Sequence, residues 1–149
     1  NRNNGNSKAY RFLAVTSMNK IEHIGIAVKD IEESNILFTK ILGRKPYKSE
    51  QVDLEGVQTS FFKIGKNKIE LVASTSPTSP ISKFLKKNNE GIHHIAIDVD
   101  DIIAEMNRLK REGIRLLSDQ PKIGADAKLI CFLHPKDTNG VLIELCQQV

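Results

Sequence analysis

Two histidines and two glutamates recur in matched settings along this chain. His23 stands in Glu22-His23-Ile24-Gly25-Ile26-Ala27-Val28 and His94 in His93-His94-Ile95-Ala96-Ile97-Asp98-Val99, at an offset of 71 residues. Each run is followed by an Asp-Ile pair, Asp30-Ile31 and Asp101-Ile102. Glu70 lies between Ile69 and Leu71, and Glu144 between Ile143 and Leu145. Each half of the chain therefore offers one imidazole and one carboxylate, 47 and 50 residues apart. Imidazole nitrogen and carboxylate oxygen suit a divalent first-row cation, and four protein donors on an octahedral ion leave two positions for substrate oxygens. No thiolate is needed, which argues against a closed structural zinc site.

These side chains need strands to hold them. Strand residues alternate between faces, so His23 shares a face with Gly25 and Ala27, while Ile24, Ile26 and Val28 take the other. The second copy groups His94 with Ala96 and Asp98, and Ile95 with Ile97 and Val99. The apolar face must meet helices, and the small neighbours of each histidine leave open space beside its ring. A lone polar residue on a strand ordinarily faces solvent; repetition at equivalent places is what favours a site. The same register aligns Glu22 with His93, and simple alternation sends His93 to the helix side as a structural residue.

After each histidine strand comes a helical pattern, with Ile31, Leu37, Phe38, Ile41 and Leu42 in the first half and Ile102, Ile103, Met106 and Leu109 in the second. Gly43 and Gly113 supply the stop. Strands are expected over 47–52, 57–64 and 68–73, then over 114–117, 128–133 and 141–146, with Pro121 and Gly124 in a loop. The expected fold is α+β: two βαβββ modules with pseudo-twofold symmetry, forming a curved mixed sheet around a metal site. Module one spans 19–73, a Ser/Thr/Pro-rich linker 74–90, and module two 91–149, together one domain over 18–149.

Composition narrows the alternatives. The net charge is +4, of which Arg2, Lys8 and Arg11 supply three without any acid nearby. No Lys/Arg stripe with interleaved aromatics follows, so no nucleic-acid partner is expected. No apolar run approaches the roughly 20 residues of a membrane span. Cys131 and Cys146 sit in apolar runs without an activating base and read as buried small hydrophobes. Residues 1–17 read as a tail, either a transit-peptide remnant or a scar.

Paired βαβββ units with this His/Glu arrangement resemble the vicinal-oxygen-chelate superfamily, and within it the methylmalonyl-CoA epimerase family. The resemblance covers almost all of 19–147. It rests on His23 to Val28 with Asp30, on Ile41-Leu42-Gly43, Gly91-Ile92-His93-His94-Ile95-Ala96 and Pro121-Lys122-Ile123-Gly124-Ala125, and on Phe132-Leu133-His134-Pro135-Lys136 before Gly140-Val141-Leu142-Ile143-Glu144-Leu145.

The resemblance implies that His23, Glu70, His94 and Glu144 bind one divalent cation (cobalt, manganese, nickel, magnesium or zinc). It also implies epimerisation of methylmalonyl-CoA through an enolate, with Glu144 and Glu70 as the two bases. One departure concerns the base: some members carry another acid after the Gly-Val step, and Gly56-Val57-Gln58-Thr59-Ser60 has none. Lys122, Lys128 and Lys136 are candidates for coenzyme A phosphates. The expected location is the cytoplasm, or the mitochondrial matrix if 1–17 is a transit remnant, and a homodimer is compatible with the sequence. The alternatives are a glyoxalase-type enzyme, disfavoured because Ala27 replaces the Arg for glutathione, and a metal-free antibiotic-binding protein of the same fold.

Overall fold

In the computed structural model, residues 16–149 are described. The tail expected over 1–17 thus lies outside the described residues, except at its end. Ser17 belongs to the fold, because its backbone N–H donates to Glu105 Oε1 at 2.9 Å and its carbonyl accepts from the Asp100 N–H.

Eight strands form one mixed sheet. Module one contributes β1 (Met18–Ala27), β2 (Lys48–Val52), β3 (Val57–Ile64) and β4 (Asn67–Ser74), and module two β5 (Gly91–Val99), β6 (Lys122–Ile123), β7 (Lys128–Phe132) and β8 (Ile143–Gln148). The order β2-β3-β4-β1-β5-β8-β7-β6 is a near palindrome in which β1 and β5 form the central seam. In each half the histidine strand lies parallel to the last strand, β1 to β4 and β5 to β8, while the seam is antiparallel. This curved α+β sheet bears out the fold expected from the repeat.

The helices α1 (Ile31–Leu42) and α3 (Ile102–Arg111) start at the two repeated aspartates. Asp30 and Asp101 each accept a hydrogen bond at 3.0 Å, from the Glu33 and Ala104 N–H groups respectively. Such a cap contributes about 1 kcal/mol. Gly43 ends α1 at φ 67°, a left-handed conformation that costs glycine nothing.

Each helix covers the convex face of its own half. Ile31, Phe38 and Leu42 pack on Val28, Phe62 and Leu71, and Ile102, Met106 and Leu109 on Val99, Cys131 and Leu145. Fully burying each such side chain stabilises the fold by about 1.5–3 kcal/mol. Leu37, Ile41 and Ile103, expected on the buried stripes, are exposed instead. A third helix, α2 (Pro80–Asn88), forms within the linker, and its Ile81 packs on Ala27, Val57 and Val72 at the mouth of the concave face.

One expected strand is corrected. Over 114–117 the chain makes only an isolated bridge, Leu116 to Leu133, and the outermost strand is the two-residue β6 within the expected loop. Lys122 and Ile123 pair with Ile130 and Leu129, and the Gly124 N–H donates to the Lys128 carbonyl at 2.9 Å. Among the described residues no helix is long and apolar enough to cross a membrane.

Candidate metal centre

The seam brings the two histidines together. In its register Gly25 lies opposite His94, and Ala96 opposite His23. The His94 ring occupies the space above Gly25 so closely that a Cβ there would fall 2.0 Å from His94 Cε1. No residue larger than glycine leaves the ring in place. The parallel partners then deliver the acids, with Glu70 beside Gly25 and Glu144 beside Ala96.

All four expected ligands converge, and all are buried. His23 Nε2 lies 3.1 Å from His94 Nε2, 3.5 Å from Glu144 Oε2 and 3.7 Å from Glu70 Oε1, and the His94–Glu70 distance is 3.3 Å. One donor atom each from His23, His94 and Glu144 fall within 4.8 Å of one another. Adjacent donors on an octahedral ion at about 2.1 Å are about 3 Å apart, so this spacing suits a single cation. Two imidazole Nε2 atoms facing each other among carboxylates form a donor set that suits such an ion.

His93 is a correction. Between Gly25 and Ile26 the register jumps from His94 to Ile92, so His93 is the extra residue of a β-bulge, which interrupts the alternation of faces. It therefore does not turn to the helix side against α1 or α3. Its Nδ1 lies 2.9 Å from His94 Nδ1, and its ring packs edge-on against Phe84 of α2 at 4.9 Å. A matching bulge lies between Ile21 and His23 and brings Glu22 to His23 Nδ1 at 3.9 Å. Each central imidazole thus has a neighbour behind it, a carboxylate for His23 and an imidazole for His94. A hydrogen-bonded neighbour fixes the ring and tautomer of a ligand histidine. His93 is within that reach of His94, whereas His23 Nδ1 is buried without a hydrogen-bond partner and meets Glu22 only as a nearby charge.

Electrostatics separate the equivalent groups. Burial pushes the Glu144 carboxyl up, and the charges of His94 and His23 only partly offset it. Glu70 experiences the same burial, but the hydrogen bond from His94 and the nearby His23 bring its carboxyl below the usual range. Burial, aided by His94, holds His93 down to about 4, so its ring is neutral near pH 7. Glu22 is brought to about 2 against its burial by His23, Lys68 and Lys128.

A cavity of about 300 Å³ opens from this centre along the concave face. Glu70, His93, His94 and Glu144 line it at one end, and Val57, Val72, Ile81, Leu117 and Leu142 give apolar walls. His23 lines a smaller void behind. Of the lysines expected near a phosphate group, Lys128 is ruled out: it is 4% exposed and its Nζ lies 2.8 Å from Gln148 Oε1 and 3.7 Å from Glu22. Lys122 is at the cavity rim, 2.7 Å from Glu55, and Lys136 is on the surface. Thr59, passed over in the sequence because a neutral hydroxyl on a strand carries no chemical signature, also lines the cavity.

Comparison with known proteins agrees with this architecture. Residues 22–132 match the family described as the Glyoxalase/Bleomycin resistance protein/Dioxygenase superfamily. The mitochondrial methylmalonyl-CoA epimerase of Homo sapiens is 42% identical over 90% of this chain and 77% of its own. The crystal structure of methylmalonyl-CoA epimerase from Mycobacterium tuberculosis superposes with a TM-score of 0.87 at 33% identity, covering 93% of this chain and 94% of that one. A methylmalonyl-CoA epimerase solved in complex with methylmalonyl-CoA and NH4+ gives 0.86 at 34%, covering 89% and 96%. The paired modules, the seam and these relatives lead to one assignment: the chain is an isomerase belonging to the methylmalonyl-CoA epimerase family of that superfamily.

Proposed function

We propose that this protein interconverts (R)- and (S)-methylmalonyl-CoA by removing the α-proton and returning it to the opposite face, with one divalent cation held by His23, Glu70, His94 and Glu144. The observation that carries this reading is the convergence of those four side chains at the end of an apolar cavity. When bound, the cation supplies Lewis acidity toward the vicinal thioester and carboxylate oxygens and offsets the charge that develops on them.

Everything else falls to the chain. Glu70 and Glu144 come from strands on opposite sides of the seam, so their carboxylates flank a ligand between the modules and each is assigned the proton on one face. His93 holds the His94 ring from behind, and Glu22 places a negative charge behind His23. Dry walls of Val57, Val72 and Leu142 exclude water from the carbon that loses its proton. The coenzyme A portion extends outward past Lys122.

The test is α-proton exchange on methylmalonyl-CoA in deuterated water, followed by mass and by configuration. Deuterium incorporation with loss of configuration, abolished by a chelator and restored by added divalent metal, is the expected outcome. Absence of both exchange and inversion in metal-loaded protein overturns the assignment.

A further inference from the structure

Thr59 and Ile130 occupy equivalent places in the two modules. Phe61 pairs with Glu70 across β3 and β4, and Phe132 with Glu144 across β7 and β8. Two residues earlier, on the same faces, come Thr59 and Ile130, and both line the cavity. The duplicated fold thus places a hydroxyl on one wall and a branched alkyl group on the other.

Ile130 is tightly seated, since a Cβ on Gly124 would come within 2.6 Å of its Cδ1. Thr59 is the opposite case. It is 1% exposed, and its Oγ1 is buried with no hydrogen-bond partner. The adjacent Ser60 hydroxyl, on the other face of β3, is satisfied by Ser49 at 3.0 Å. A buried hydroxyl without a partner is uncommon and calls for a reason. Thr59 lines the cavity, and rotation about χ1 re-aims Oγ1 among staggered positions without backbone movement.

We infer that Thr59 is a substrate-orienting residue: its hydroxyl donates to the carboxylate oxygen that the cation leaves open on the bound acyl group, while Ile130 on the facing wall packs against the alkyl substituent. A hydroxyl is the suitable partner because it donates to an oxygen that carries no proton, and it competes for no cation. The division of walls holds the reacting carbon in one orientation while its proton changes face. This inference rests on the reading of the chain as an acyl-CoA epimerase.

Three measurements test it on the metal-loaded full chain: kcat/KM for methylmalonyl-CoA, affinity for free coenzyme A, and melting of the ligand-free protein. Thr59→Val is expected to lower kcat/KM about 10-fold or more, as loss of a hydrogen bond to a charged group does. Free coenzyme A lacks the acyl group, so its affinity stays unchanged. The melting temperature does not fall, because the deleted hydroxyl had no partner to lose. Thr59→Ser restores most of the activity. Thr59→Val with wild-type kcat/KM overturns the role, as does a drop in melting temperature and activity that Thr59→Ser fails to rescue. Wild-type protein that leaves methylmalonyl-CoA unchanged overturns the epimerase reading itself and the inference with it.

Discussion

Glu70 on β4 and Glu144 on β8 are equivalent by the internal repeat and equally sequestered, yet their surroundings move them in opposite directions. The hydrogen bond from His94 goes to Glu70, while the burial of Glu144 is left partly uncompensated. Differences of the same kind run through the site. The neighbour behind His23 is a carboxylate and that behind His94 an imidazole; the wall beside Glu70 carries Thr59 and that beside Glu144 carries Ile130. Duplication supplied two copies of one geometry, and the residues around them give like groups unlike proton affinities.

The largest effects are expected where the two halves are asked to differ. Glu144→Gln keeps an amide oxygen but accepts no proton at neutral pH, so kcat falls by about a hundred- to ten-thousand-fold. Metal content, measured by elemental analysis, falls less than in a histidine variant. Glu70→Gln separates ligand from base: one enantiomer goes on exchanging its α-proton with solvent while inversion becomes slow. Complete epimerisation by that variant removes Glu70 as a proton carrier.

Next come the two adjacent histidines. His94→Ala is expected to abolish stoichiometric metal binding, whereas His93→Ala, which removes only the group behind the ligand, weakens affinity about 10-fold. Titration calorimetry distinguishes the two. Equal losses make His93 a ligand in its own right, and no loss at His93 makes its 2.9 Å approach incidental.

Gly25→Ala probes the seam. The added methyl meets the His94 ring, which must move, and the resulting strain costs about 1–3 kcal/mol in denaturant unfolding together with weaker metal binding. Unchanged stability and affinity shows that His94 has another place to go.

The smallest effect concerns Asp126, through which module two reaches module one. Its carboxylate lies 3.0 Å from Lys48 Nζ and 3.2 Å from Lys68 Nζ. Although burial opposes it, these two lysines hold its carboxyl below the ordinary 3.8. A depressed folded value means that the stabilisation is fully present above the unfolded value and is lost as pH falls through it. Asp126→Asn is expected to cost on the order of 1 kcal/mol at pH 7 and progressively less below pH 4. A loss independent of pH assigns the effect to packing rather than charge.

Much of this was legible in the sequence. The offset of 71 residues placed both histidines, the Ile-Glu-Leu settings placed both glutamates, and the Asp-Ile pairs marked the two helix starts. What escaped shares a cause. His93 was misplaced and Glu22 passed over because alternation assumes an uninterrupted pleat, and a bulge inserts one residue without leaving a mark in composition. β6 was too short to have a period. Lys128 reads as a surface charge until β8 and Glu22 close over it. Leu37 and Ile41 fit a helical stripe, yet they stay exposed, and only Ile31, Phe38 and Leu42 of that stripe pack on the sheet.

If the proposed cation is bound, the antiparallel seam also makes it a fastener. Either module alone presents one imidazole and one carboxylate, a pair that holds a divalent cation loosely; brought edge to edge, each pair sees the other at a high effective concentration. Affinity for the ion therefore measures how firmly the two halves are joined. On that reading a change along β1 or β5 far from any donor atom would loosen the grip on the metal, and added metal would raise the temperature at which the halves come apart.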